Sequence, residues 1–174
     1  MTRIHLLRAV NLGARNKVPM ADLRRIAEDL GATGVRTLLN TGNLITETEP
    51  DAFPAALLAR IEDELGVATA VIVLESDDVQ FAVENNPFEP EEFAAVYVGC
   101  CSEAPSEEKM RALRDRDFGQ DTVRHAGRFV YLGYAGNVHS SKLSNALVER
   151  QLGITMTSRN MTTMLKLSQS ALGH

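Results

Sequence analysis

The chain has 174 residues, 44% hydrophobic and 24% charged, enough for one ordinary domain or two small fused ones with a real core, which excludes a disordered tail. No stretch approaches the roughly 18 apolar residues of a membrane span. The net charge of −5 is sorted along the chain: residues 1–46 carry seven Lys/Arg against three Asp/Glu, residues 47–121 five against nineteen, and residues 122–174 six against one.

Residues 3–10 read as a buried strand through Ile4, Leu6 and Val10, followed by a polar loop from Asn11 to Val18. Pro19 suits a first helical position. Met20, Leu23, Ala27 and Leu30 then recur at helical spacing up to Gly31. Residues 35–39 and 43–46 form a hairpin about Thr41-Gly42. Asp51 and Pro54 open a second helix carrying Phe53, Leu57, Leu58, Ile61 and Leu65, stopped at Gly66, and residues 70–74 are an apolar strand. Ser76 caps a short helix with Asp77 and Asp78 in its first turn, closed by Asn86-Pro87.

The same order then restarts. Residues 94–99 are a strand, and Ser106 with Glu107 and Glu108 begins a helix through Met110 and Leu113. Residues 122–125 and 128–134 make a hairpin about Ala126-Gly127. Ser140 or Ser141 is expected to cap a helix bearing Leu143, Leu147 and Arg150, stopped by Gly153. A short strand over 154–157 and a terminal helix over 161–171 complete the chain. The expected fold is α+β, a tandem repeat of two ferredoxin-like β-α-β-β-α-β units plus a C-terminal helix. The first unit spans 1–75, a linker helix 76–90, and the second unit with the terminal helix 91–174.

Cys100 and Cys101 are adjacent, and neighbouring residues close only a strained ring, so no structural disulfide is expected. The start of the chain has only two consecutive leucines before Arg8, too short for the apolar core of a signal peptide. A cytoplasmic protein is therefore expected, without a membrane segment and as a monomer or homodimer.

Several motifs are familiar in sequence. Leu7-Arg8-Ala9-Val10-Asn11-Leu12-Gly13, Asn16-Lys17-Val18-Pro19-Met20, Thr41-Gly42-Asn43, Asn86-Pro87-Phe88, Ser141-Lys142-Leu143 and Thr157-Ser158-Arg159-Asn160 resemble a widespread bacterial domain-of-unknown-function family, number 1697. The resemblance runs over essentially the whole chain. It implies a tandem ferredoxin-like protein and brings no activity, substrate or cofactor with it. The family commonly has glycine at the positions of Ala9 and Ala14, serine at Thr41 and an aromatic at Met161.

Signatures of established chemistries are missing. There is no G-x-x-x-x-G-K-[ST], G-x-G-x-x-G or G-x-S-x-G. His5, His125, His139 and His174 are scattered without metal-ligand spacing, so neither a metal nor another cofactor is expected. Thiols at the end of an apolar strand, such as Cys100 and Cys101, read as core residues. Whether the chain is an enzyme stays open.

The candidate ligand-binding residues are Arg8, Asn11, Lys17, Asn43, Ser141, Lys142, Arg159, Asn160 and Lys166. Asn40, Thr41 and Asn43 around Gly42 are also good turn chemistry, and Ser141 and Asn160 are also ordinary helix caps. Arg159 offers a bidentate fork for carboxylate or phosphate, and Lys166 lies two turns further on. The leading functional reading is a small anionic ligand, bearing phosphate or carboxylate, in a basic cleft between the two units. A nucleic-acid-binding module is the second, on the alternation of Phe129 and Tyr131, against which stand the pI near 5.4 and 5% aromatics. The third is a protein-interaction module whose acidic block, including Glu89, Glu91 and Glu92, meets a basic partner.

Overall fold

Ile4 and Leu6 alternate with His5 and Leu7, the period-2 pattern of a strand buried on both faces. In the computed structural model, which describes residues 1–173, this segment is β1 (Arg3–Leu7), and all four side chains are buried. His174 lies outside the described residues. Pro19 stands in extended backbone just before α1 (Met20–Asp29), whose Leu23, Ile26 and Ala27 face inward. β2 (Arg36–Leu38) and β3 (Asn43–Thr46) form the hairpin. The next helix, α2 (Phe53–Leu65), has Pro54 in its first turn and left-handed Gly66 at its end, and β4 (Val71–Glu75) follows. The strands pair in the order β2-β3-β1-β4, all antiparallel.

Leu7, Leu44 and Val71 project to the face that meets α1 and α2 and pack with Leu23, Ile26, Phe53, Leu57 and Ile61. Each fully buried side chain of this size contributes roughly 1.5–3 kcal/mol. Together they fix the helices on one side of the sheet.

α3 (Ser76–Glu84) leads into a second sheet built the same way. β5 (Ala95–Cys101), α4 (Glu107–Arg114), β6 (Thr122–Ala126), β7 (Phe129–Tyr134), α5 (Asn145–Leu152) and β8 (Met156–Asn160) follow in order. Their strands pair as β6-β7-β5-β8, again antiparallel. Cys101, Val130, Leu132, Tyr134 and Met156 pack with Met110, Leu113, Val148 and Leu152 from the two helices. α6 (Met161–Ala171) closes the chain. Among the described residues the fold is thus α+β, with two four-stranded antiparallel sheets and six α-helices.

By contact, one unit comprises Met1–Asp78 together with the stretch from Gln169 onward, and the other comprises Val79–Ser168. In the first, the Arg36 guanidinium donates to the carbonyl of Ser170, tying the end of α6 to β2.

Two local expectations are corrected. The residue capping α5 is Ser144, whose hydroxyl accepts from the Leu147 N–H, rather than Ser140 or Ser141. Residues 138–140 instead form a single 3₁₀ turn capped by Asn137. The last strand is β8 over Met156–Asn160, displaced from 154–157, because the carboxylate of Glu149 receives the Met156 N–H and pairing with β5 begins there.

Candidate functional site

The loop between β1 and α1 is stitched rather than slack. The Asn11 amide donates to the carbonyls of Val18 (2.8 Å) and Asn40 (2.6 Å), and its oxygen accepts from the Val18 N–H (2.8 Å). Asn16 in turn donates to the Ala9 carbonyl, and the Asn11 N–H to the Asn16 carbonyl. These bonds hold Ala9, Asn11, Gly13 and Asn16 at φ of +55°, +57°, +71° and +53°. A left-handed backbone costs a residue with a Cβ roughly 1–2 kcal/mol. The network of side-chain bonds is what keeps it there.

Asn43 is buried at the start of β3 and donates to the Leu38 carbonyl (2.9 Å) and the Thr41 hydroxyl (2.8 Å). Gly42, at φ +84°, could not carry a side chain: a Cβ would stand 2.8 Å from both Leu7 Cβ and Val10 Cγ2. Its carbonyl accepts the Leu7 N–H, so the turn is pressed against the end of β1. Asn11 and Asn43 are therefore brought together on one turn, 38–42, which each shapes from a different side.

Arg8 is half-buried where β1 gives way to the loop, with its N–H on the Ala70 carbonyl and its own carbonyl accepting from Thr69. Lys17 is exposed and makes no ion pair among the described residues, and the same holds for Arg15, which sequence reasoning passed over. Its only signal was position: a cation in a loop made of turn-forming residues.

The other candidates lie in the second unit. The Ser141 hydroxyl donates to Asp121 and accepts the Leu143 N–H (3.0 Å). Asn160 caps α6 by accepting the Thr163 N–H (2.8 Å). Arg159 lies on β8 opposite Val98, only 7% exposed, and donates to the Thr157 hydroxyl and the Ser158 carbonyl. Burial lowers its pKa to about 10, which leaves it charged at neutral pH. Lys142 and Lys166 are exposed, without an ion pair among the described residues.

A buried polar group that the sequence did not single out as a site is His5. Its Nε2 lies 2.8 Å from Glu49 Oε2, beneath the edge of Phe53, while the same carboxylate receives Arg3 (2.8 Å) and the Thr46 hydroxyl (2.9 Å). Burial lowers the His5 pKa more than the neighbouring carboxylate raises it, so the ring is neutral at pH 7. Glu49, only 3% exposed, is neutralised chiefly by Arg3. This cluster holds the segment before α2 onto the sheet, with the Arg3 side chain reaching out to solvent.

The two thiols are both buried, on opposite faces of β5, and burial raises Cys101 to about 12, far from a reactive thiolate. Among the described residues no three His, Cys, Asp or Glu side chains gather to hold a metal ion, and no helix is long and apolar enough to cross a membrane.

The opening motifs, the hairpin turn at Thr41-Gly42 and Asn86-Pro87-Phe88 all fall inside the stretch that decides the family. Residues 1–131 match the family described as "Protein of unknown function (DUF1697)". The chain belongs to the DUF1697 family. The motifs at 141–143 and 157–160 lie beyond the matched residues of this family member. A solved structure of a conserved bacterial protein from Streptococcus pneumoniae is similar over 98% of both chains, with a TM-score of 0.70 at 19% identity. At that identity the likeness extends to the fold. No curated protein matches the chain.

Proposed function

We propose that this DUF1697 member binds a small phosphate- or carboxylate-bearing ligand through the β1–α1 loop. The observation that carries this reading is how the cations of the first unit are used. Arg3, Arg25, Arg36 and Arg60 lie within 4 Å of carboxylates, and Arg24 donates to Thr37. Arg15 and Lys17 are exposed on a loop whose backbone is already ordered, beside half-buried Arg8. Alternation of left-handed residues with others, as at 9, 11 and 13, is the backbone pattern from which anion-binding concavities are made. Loops held by a rigid scaffold are also where binding residues concentrate.

Arg8, Asn11, Lys17 and Asn43 form the first-unit part of the reading. Asn11 and Asn43 act by shaping the loop and turn, and Lys142, Arg159 and Lys166 are further cations in the second unit. The identical element order of the two halves, and the identical pairing order of their strands, support a tandem of ferredoxin-like units with the helix after Ser76 as the link. Phe129 and Tyr131 are buried, which removes the exposed aromatics a nucleic-acid reading needs. Glu89, Glu91 and Glu92 are exposed, and a basic protein partner is the reading to take up if no anion binds.

The test is a thermal-shift series with phosphate, citrate and sulfate on the parent chain and on Arg15→Ala/Lys17→Ala. A ligand at a hundred times its Kd stabilises by about 2.7 kcal/mol, well above detection. The expected result is a shift for at least one anion that the double variant loses. Equal shifts in both proteins, or none in either, would sink the reading.

A further inference from the structure

Between the end of α4 and β6 the second unit has a hollow of about 210 Å3. Its walls include Arg114, Arg116, Asp117, Phe118, Asp121 and Arg124. The two carboxylates accept from groups other than the arginines. Asp121 accepts the Ala135 N–H on one oxygen and the Ser141 hydroxyl on the other, and Asp117 accepts the Gly119 N–H. None of the three arginines has a carboxylate partner among the described residues, although carboxylates stand on the same walls.

Arg114 is also held in place. Its Nη1 lies 3.3 Å from His125 Nδ1, and His125 Nε2 lies 2.8 Å from Glu107 Oε1. A guanidinium can only donate, so Nδ1 is the acceptor and the ring proton sits on Nε2, donated to Glu107. The relay uses one of five N–H groups on Arg114 and fixes the direction of the rest. Arg124 likewise uses Nη1 on the Val123 carbonyl and keeps the remainder of its fork.

The geometry points to a binding site for a small phosphate ester in this hollow, gripped by Arg114, Arg116 and Arg124. Guanidinium forks match the oxygens of a phosphate better than a single carboxylate, which one fork satisfies. Three cations over two engaged carboxylates leave a positive excess for a phosphate group to neutralise. The volume lies below the roughly 300–1,000 Å3 of pockets for drug-sized ligands, which favours a small ester over a dinucleotide. Ser141, through Asp121, is a positioning residue of the wall.

Inorganic phosphate is the probe, followed by amide NMR of the full chain. Saturable shifts are expected at Phe118, Gly119, Thr122 and Arg124. Arg116 and Arg124 are exposed, so Arg116→Ala/Arg124→Ala should keep its fold by circular dichroism and bind about tenfold or more weakly. Arg15→Ala/Lys17→Ala should leave these shifts unchanged, which separates this site from the loop. The inference is overturned if the shifts are absent or if the arginine variant binds like the parent. It is also overturned if a single-stranded oligonucleotide saturates the hollow well below the concentration phosphate needs, since the surface would then be a nucleic-acid contact.

Discussion

At position 9 the backbone takes φ +55°, and the residue there is alanine. Only the methyl group opposes this conformation, and glycine would adopt it without strain. A glycine at this position would have a conformational reason, and alanine keeps the loop's shape because Asn11 and Asn16 hold it. Ala9→Gly is therefore expected to stabilise the fold by about 1 kcal/mol, the left-handed strain less the added freedom of the unfolded chain. Denaturant unfolding at constant slope checks it; a destabilised variant would mean that the methyl group makes a contact worth more than the strain. The same scale shows what was legible. Gly42, Asn43 and Asn160 carry their roles openly, because turn and cap chemistry depends on a few neighbouring residues. The burial of Arg159 was not legible, since the sequence shows an arginine and not the strand face it points to.

Among the elements, those with apolar periodicity and a plain stop signal were read to within a residue or two. α1, α2 and α6 are examples, with Gly66 ending α2 in left-handed backbone. Reading failed where two signals of equal weight lay side by side. Three serines, Ser140, Ser141 and Ser144, crowd residues 140–144 with Lys142 and Leu143 between, and any of them could cap a helix. What selects Ser144 is the anchoring of the segment before it, through Ser141 on Asp121 and the Tyr134 hydroxyl on the Leu143 carbonyl. Those partners lie in β7 and the loop before β6, beyond local pattern. Ser144→Ala should then cost about 1 kcal/mol of stability, while exposed Ser140→Ala should cost less than about 0.5. Comparable losses in the two variants, measured by thermal unfolding, would contradict the cap assignment. β8 was misplaced for a related reason: Ser158, Arg159 and Asn160 look like a loop, yet with Met156 and Thr157 they pair with β5 along their length.

For the whole molecule, the charge blocks of the sequence acquire a different meaning once the chain is divided as it folds. The first unit joins the basic start to the first part of the acidic stretch, giving eight Lys/Arg against twelve Asp/Glu; the second joins the remainder to the basic end, giving ten against eleven. Basic ends and an acidic middle along the chain become two units of net −4 and −1. Arg25 and Arg60 meeting Asp29 and Glu64 show the mixing at the level of single pairs. Such exposed pairs stabilise little, at most about 1 kcal/mol each, but they cancel the field that would otherwise reach beyond the surface. The proposed anion sites then depend on individual cations held at short range, as in the loop and the hollow, and not on a long positive surface. The full chain should accordingly pass through a heparin column unretained at neutral pH and low salt. Retention released steeply by added salt would show several phosphate-sized contacts acting together, and the local reading of both sites would have to give way to an extended polyanion surface.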